Sequence, residues 1–386
     1  MKIYETDGHC SNFDAEVLSC NINKDGLFDV ILSRTAFFPE GGGQSSDEGT
    51  INGIRVLDVK LSDDECTVIH TIDAPLNIGE IVHGEINKEL RFSRMQNHTA
   101  EHICSGIIHS LFGYENTGFH MGHDEVTMDF NGILSDEDIQ KVEKLANKAV
   151  YDNLPITVSF YAPGEASNVF YRSKKEINTT LRLVEIKGID VCACCAPHVA
   201  FTGEIGLIKI LGFQKYKGGT RVSLLAGSRA FDELTKHYNN VKKISNSLSS
   251  NPNDICDRFQ QLQRELYDAK VAKTAIKNEY YSLIASQYKN EINDNIIYFD
   301  IDSSVEEIRF LVNLLKEKTN KICAVFSGKD NQYKFIAASN CIDMTKVAQY
   351  FRSNLKASCG GKPQMIQGSV LASKEEILNC FDQYKI

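Results

Sequence analysis

The sequence predicts an α+β multidomain protein, and three patterns predict it. Residues 1–88 break into short apolar stretches separated by turns, which suits a small N-terminal β-barrel. Residues 89–245 mix two segments of helical periodicity with several strands, the pattern of a two-layer α/β domain. A polar breaker, "NSLSSNPND" at 246–254, then opens a long helix reaching about residue 290, and residues 291–386 alternate strands and helices as a small C-terminal α/β domain.

The barrel strands are read in "LFDVILSRTAFF", "TINGIRVLDVKL" and "CTVIHTI", with the turn signal "SSDEG" at Ser45 to Gly49 between two of them. Helical spacing begins at Gln96, where Ile103, Ile107, Ile108 and Leu111 share a face as far as Phe112. A strand pair follows around "VTMDF". Ser135, ahead of Asp136, Glu137 and Asp138, makes an N-cap with acid in the first turn of a helix reaching Tyr151. The strands "ITVSFY", "TLRLVEIKG", "IGLIKILGF" and "RVSLLAG" predict a mixed sheet wrapped on one or two helices. After the breaker, Ile255, Phe259, Leu262, Leu266, Ala269, Ile276, Tyr280 and Leu283 recur at three-and-four spacing, interrupted by Lys273. That seam serves either a coiled coil, as a hairpin arm or dimer contact, or packing on the same chain. The last module holds "NIIYFDI", a helix over "SVEEIRFLVNLLKEK", "ICAVFSG", "YKFIAAS", a helix near "TKVAQYF", the loop "SCGGKPQMIQGS" and a terminal helix.

A length of 386 residues implies two to four domains, and 42% hydrophobic with 24% charged residues is the balance of a soluble globular chain. No apolar run approaches the roughly 18 residues of a membrane span, and "MKIYETDGHC" lacks a signal region. These features predict a cytoplasmic protein with no membrane partner. Twelve cysteines are then free thiols or ligands rather than disulfides. The net charge of -9 speaks against nucleic acid. Its distribution softens that objection, since residues 1–90 hold 6 Lys+Arg against 17 Asp+Glu while each later part is near balance, and charge alone decides nothing.

In "NHTAEH", His98 and His102 lie one helical turn apart and reach a common ion. Thr99 stands where the HExxH protease motif has glutamate, so that motif is excluded. Ninety residues on, "DVCACCAPHVAFTGEIG" puts Cys194 and His198 four apart, and zinc takes cysteine sulfur and histidine nitrogen in tetrahedral sets. The two pairs make one zinc ion per chain. Cys192 and Cys195, flanking Cys194, point elsewhere and are left out of the ligand set.

Together, "NHTAEH", "CCAPHVAFTGEIG", "LSRTAFFPEGGGQSSDEG" and "RLVEIKGID" resemble the editing domain of alanyl-tRNA synthetase and the freestanding alanyl-tRNA editing proteins of the AlaX group. The long helix and "CGGKPQMIQG" resemble the DHH-associated module that follows that domain in the synthetase and in long AlaX proteins. This chain has "CCAPH" where the synthetase has CGGTH. Both ligand positions survive, while the role of the family's threonine does not carry over. No segment precedes the barrel to bind ATP, so the resemblance implies a chain that removes an amino acid from tRNA without attaching one.

The reaction so implied is trans-editing: hydrolysis of the ester between a wrong amino acid, chiefly serine and with glycine left open, and the 3′ end of tRNA(Ala). A pocket for alanine cannot strongly reject one added hydroxyl, which is why a second hydrolytic site is needed. Thr35 matches the family's threonine that contacts the serine hydroxyl, and Gln44 closes its Gly-rich motif. Gly41, Gly42 and Gly43 allow close backbone approach and positive φ. Arg91 and Arg94, one turn apart, are read as phosphate contacts for the CCA end, or as solvated helix-start residues. Glu101 is the candidate general base, its other reading being a solvated glutamate. His120 and His123 match a segment lining the family's site, with His120 taken as a substrate contact. Gly360, Gly361 and Lys362 are read as a nest for phosphate, in a module that the resemblance implies grips the outer corner of the tRNA. Two other readings stay open: a non-catalytic tRNA-binding protein with structural zinc, and a deacylase for another tRNA such as seryl-tRNA(Thr).

Overall fold

The computed structural model describes residues 1–386 except 64, 65, 164, 167, 174–179, 385 and 386. The chain divides into two units, Met1–Lys243 and Ile244–Ile386.

The first unit opens with six strands, β1 (Asn12–Ile22), β2 (Phe28–Leu32), β3 (Gly49–Ile51), β4 (Ile54–Leu61), β5 (Val68–Ile72) and β6 (Ile81–Ile86). They close into a barrel in the order β1-β2-β5-β4-β3-β6. The strict in–out alternation of β1 and β6 lets Phe13, Ala15, Val17, Val82 and Ile86 fill the interior beside Phe37 and Val59. The sequence reading found the barrel but missed β1 and β6, and it ran β2 too far. Residues 33–48 form the long connection that carries Thr35 and the glycine triplet.

Helix α1 (Lys88–Phe112) begins eight residues earlier than its apolar periodicity suggested. Asn87 caps it by accepting from the Leu90 N–H, and Gly113 ends it at φ 71°. Its middle is buried on every side, from Met95 to Gly106, although that stretch is largely polar. Each polar group has work: Asn97 exchanges hydrogen bonds with the Ala226 backbone (2.9 and 3.3 Å), and Gln96 donates to the Glu204 carbonyl at 2.8 Å. Around this axis lie β7 (Asn116–Met121), β8 (Val126–Phe130), α2 (Asp136–Tyr151), β9 (Ile156–Tyr161), β10 (Leu181–Ile186), β11 (Asp190–Ala193), β12 (Ile208–Tyr216), β13 (Gly219–Ala226) and α3 (Gly227–Ser247). The predicted mixed sheet is instead two antiparallel sheets, β12-β13-β8-β7 and β11-β10-β9. α2 has the predicted Ser135 cap, completed as a capping box by Asp138. α3 escaped the sequence reading because its apolar residues, including Phe231 and Tyr238, are exposed and its polar residues dominate.

The second unit contains α4 (Ile255–Ser286), β14 (Ile296–Asp300), α5 (Val305–Leu315), β15 (Cys323–Lys329), β16 (Gln332–Ala338), α6 (Met344–Asn354), β17 (Ala357–Lys362), β18 (Met365–Leu371) and α7 (Lys374–Gln383). The sheet runs β14-β15-β16-β18-β17, with only the β14/β15 pairing parallel. One apolar cluster joins α4 and α5 to the sheet, and another is built on α6 and α7. α4 is buried through Tyr281, Ile284 and Ala285, while Phe259, Leu262, Leu266, Ile276, Tyr280 and Leu283 of the predicted seam are exposed.

One ion pair ties barrel to helix in the first unit. Arg91, 3% exposed, is paired with Asp47 and also donates to the carbonyls of Gly8 (3.0 Å) and Ala36. Asp47 accepts from the Phe38 N–H as well. Removing one member of a buried pair leaves the other charge uncompensated. Asp47→Ala should therefore lower the unfolding free energy in urea by about 3–5 kcal/mol. A loss below about 1 kcal/mol, the range of surface pairs, would show that this pair does not hold the barrel on α1.

Candidate metal centre

His98 and His102 project from one face of α1, and Cys194 and His198 come from the turn after β11. One donor atom from each lies within 4.8 Å of the others. Cys194 Sγ is 3.7 Å from His98 Nε2 and 3.4 Å from His198 Nε2. The ring centroids of His98, His102 and His198 are 4.7 to 5.4 Å apart. The two sequence-spaced pairs thus meet, with Cys194 half-buried and the three imidazoles buried.

The outer nitrogens explain how the rings are aimed. His98 Nδ1 faces Gln44 Oε1 at 2.9 Å, His102 Nδ1 faces Asp190 Oδ2 at 3.0 Å, and His198 Nδ1 faces Thr99 Oγ1 at 3.1 Å. Gln44 Oε1 and a carboxylate of Asp190 can only accept, so His98 and His102 donate from Nδ1, and the Thr99 hydroxyl can accept from His198 in the same way, which leaves the Nε2 atoms on the inner side. That is the tautomer a metal-binding histidine needs. Burial opposes a Cys194 thiolate, but His98 first, together with hydrogen bonds from His102 and His198, more than offsets it and holds the thiol well below its ordinary range. Burial also keeps His198 neutral, its pKa lowered to about 3. Three lone pairs and a thiolate facing inward form a donor set that fits a borderline-soft cation.

Glu101 is buried, 4% exposed, not solvated. It lies between the two histidines on α1. Its Oε1 accepts from Ser105 Oγ at 2.8 Å and Asn116 Nδ2 at 2.5 Å, leaving Oε2 at 3.7 Å from His102 Nε2. It stands beside the four-ligand set, not in it. The backbone turn holding Cys194 is fixed by Arg182, which donates to the carbonyls of Cys194 (2.5 Å), Ala196 (3.0 Å) and Glu5 (3.0 Å).

Several sequence expectations are corrected. Arg91 and Arg94 are not free for phosphate: the first is spent on Asp47, and the second, 14% exposed, donates to Ser46 O at 2.7 Å and lies near Asp47 and Glu48. Arg91 is buried and Arg94 half-buried, because α1 starts eight residues earlier than its apolar spacing suggested. Gly43 has φ 85°, and a Cβ there would sit 2.5 Å from the Phe119 carbonyl oxygen; its close approach is to β7, not to a ligand. Gly41 and Gln44 close the turn with two 3.0 Å backbone bonds, and Gly42 at φ 61° is exposed. His120 is exposed, because strand alternation turns it away from Phe119, whose ring lies 4.9 Å from His98. Its neighbour His123 is likewise exposed. Gly360, Gly361 and Lys362 lie in β17, an edge strand, where extended backbone alternates its N–H groups and forms no nest. Gly361 is glycine because a Cβ would come within 2.3 Å of the Met365 carbonyl oxygen.

Thr35 is buried in the barrel wall. Its Oγ1 lies 2.8 Å from His70 Nε2 and accepts from the Phe37 N–H at 3.1 Å. Asp190, Thr99, Arg172, Arg182 and Asn116 were missed from sequence. Arg182 alone left a signal: a charge at an inward position of the apolar strand β10.

The comparisons agree with this layout. Residues 181–223 match the second additional domain of threonyl and alanyl tRNA synthetases, and residues 285–385 match the DHHA1 domain. An alanine–tRNA ligase of Ignicoccus hospitalis is 30% identical over 97% of this chain and 41% of the ligase, so the chain spans less than half of that relative. The alanyl-tRNA editing protein AlaX-L of Pyrococcus horikoshii is 26% identical over 98% of this chain and 96% of its own length. The editing protein Aarsd1 of Danio rerio is 26% identical over 94% and 92%. An editing-type domain with a four-donor metal set, followed by a DHHA1 domain, defines the class. Along nearly its whole length the chain is similar to alanyl-tRNA editing proteins of the AlaX type. Among the described residues, no helix is long and apolar enough to cross a membrane.

Burial also lowers the pKa of His70 to about 4, against a backbone hydrogen bond to Val30 that favours its charge. A depressed folded-state value means the neutral ring is the one folding selects. The stability it contributes is present above the unfolded value near 6.5 and is lost as pH falls toward 4. Unfolding free energy should therefore drop by up to about 3 kcal/mol more in the wild type than in His70→Gln between pH 7 and pH 4. Equal slopes for the two proteins would contradict a buried neutral ring.

Proposed function

We propose that this chain is a zinc-dependent hydrolase that releases serine from wrongly charged tRNA(Ala). The observation that carries the reading is the meeting of His98, His102, Cys194 and His198 beside the buried Glu101, in a chain that resembles alanyl-tRNA editing proteins along nearly its whole length.

His98, His102, Cys194 and His198 would hold zinc, which would supply positive charge to the site; four protein donors favour a fixing and electrostatic role. The chain's own groups do the rest. Glu101, held by Ser105 and Asn116, takes a proton from water as the water oxygen bonds to the ester carbonyl carbon. The bond from that carbon to the ribose oxygen then breaks, and the proton passes to the ribose. Serine and free tRNA leave.

Selectivity is assigned to Thr35. His70 Nδ1 faces the Val30 carbonyl at 3.1 Å and must donate to it, so Nε2 accepts from the Thr35 hydroxyl. The threonine oxygen is left as an acceptor, suited to the hydroxyl of serine and to nothing on alanine. Gln44 is read as the support of His98, and the glycine triplet as the seat of that support on β7. A glycyl ester offers Thr35 no hydroxyl, so its hydrolysis is a separate question that the same release assay answers with glycyl-tRNA(Ala). The second unit, with Lys362 on its edge strand, is assigned to the outer corner of the tRNA, and the exposed seam of α4 to a second copy of the chain. A four-part division at residues 88, 245 and 290 is part of the same proposal.

The filled ligand shell favours one alternative, a tRNA-binding protein with structural zinc, and activity separates the two. Purified protein incubated with seryl- and alanyl-tRNA(Ala) should release serine faster by about 100-fold or more, as expected when a buried polar group reads a hydroxyl. No release from either substrate would overturn the hydrolase. Glu101→Gln should cut the rate by about 10²–10⁴ at unchanged zinc content; a rate within a few fold of wild type would remove Glu101 as the base.

A further inference from the structure

We propose that Asp190, clamped by Arg172, is a positioning residue that sets the metal affinity of the centre through His102. The proposal rests on the metal reading above and adds a residue pair that reading does not use. The three imidazoles are not held alike. His98 leans on the neutral amide of Gln44 and His198 on the neutral hydroxyl of Thr99, while His102 alone has a carboxylate behind it, at 3.0 Å. A carboxylate accepting from Nδ1–H makes Nε2 a better donor and fixes the ring plane, and such partners typically change metal affinity 10–100-fold.

Asp190 is itself held with more care than an ordinary surface carboxylate. Arg172 donates to its Oδ1 from Nε at 2.7 Å and to its Oδ2 from Nη2 at 2.9 Å, a planar fork that leaves little freedom. The Arg172 backbone is stitched to β11 by bonds to Val191 O (2.8 Å) and from Ala193 N (2.9 Å). On the other side, Gly106 of α1 lets the segment come close, since a Cβ there would lie 2.8 Å from Asp190 Cβ. Burial opposes the charge of Asp190, but His102 and Arg172 offset it and keep the carboxyl below its ordinary range.

His102, Asp190 and Cys192 also lie mutually close enough to suggest a second cation. The Arg172 fork argues against it, because a guanidinium already occupies the electropositive place beside Asp190. The pair is therefore an outer support of one centre.

The test is zinc affinity of the full chain by chelator competition, with thermal unfolding as a check on folding. Asp190→Asn should weaken zinc binding about 10–100-fold, and in a His102→Ala background the same substitution should change it by less than about threefold. Should Asp190→Asn fold poorly, Arg172→Gln, which keeps the carboxylate but frees it, is expected to weaken zinc in the same direction by a smaller factor. Unchanged zinc affinity in Asp190→Asn, or an equal loss with and without His102, would overturn the proposal while leaving the metal centre standing. Failure of the wild-type chain to bind zinc would instead overturn the metal reading, and this proposal with it.

Discussion

Three imidazole nitrogens and a cysteine sulfur lie within 4.8 Å of one another, with the three rings buried, a donor set that fits a cation. The fold commits a central helix, a strand turn and three hydrogen-bonded supports to holding them there. That arrangement is the one the proposed cation needs, and supports from several parts of the first unit converge on it.

The supports come from every part of that unit. The barrel connection supplies Gln44, α1 supplies Thr99 next to His98, and β11 supplies Asp190. Arg182 gathers three carbonyls around the Cys194 turn, and Arg91 binds the barrel connection to the start of α1 through Asp47. The proposed metal ligation would thereby be a property of the assembled unit and not of either pair of residues. The chemistry proposed for Glu101 depends on the same packing, since Ser105 and Asn116 fix which of its oxygens faces the centre.

Much of this was legible in the sequence where periodicity or spacing carries direct physical meaning. The two pairs that meet, His98/His102 and Cys194/His198, stood out by their four-residue intervals, α2 by Ser135 and its acidic first turn, and α4 by its three-and-four seam. Strand alternation revealed the barrel without β1 and β6. Supports such as Asp190 and Thr99 were not legible, because a single polar residue carries no periodic signal and gains its role only from a partner about ninety residues away. The misreadings share a cause. Arg91 and Gly43 are residue types usual at ligand sites, yet each finds its partner inside the protein: a buried carboxylate and a neighbouring backbone. Gly360 and Gly361 looked like a loop because glycine marks turns more often than the crowded edge of a sheet.

The central claim is that one ion sits among His98, His102, Cys194 and His198. Anomalous diffraction from crystals of the purified chain, collected on both sides of the zinc absorption edge, tests it most directly. A single peak about 2.0–2.3 Å from the three Nε2 atoms and the Cys194 sulfur is the predicted result. No peak there, with the four side chains hydrogen-bonded to one another or turned apart in zinc-replete crystals, would contradict it.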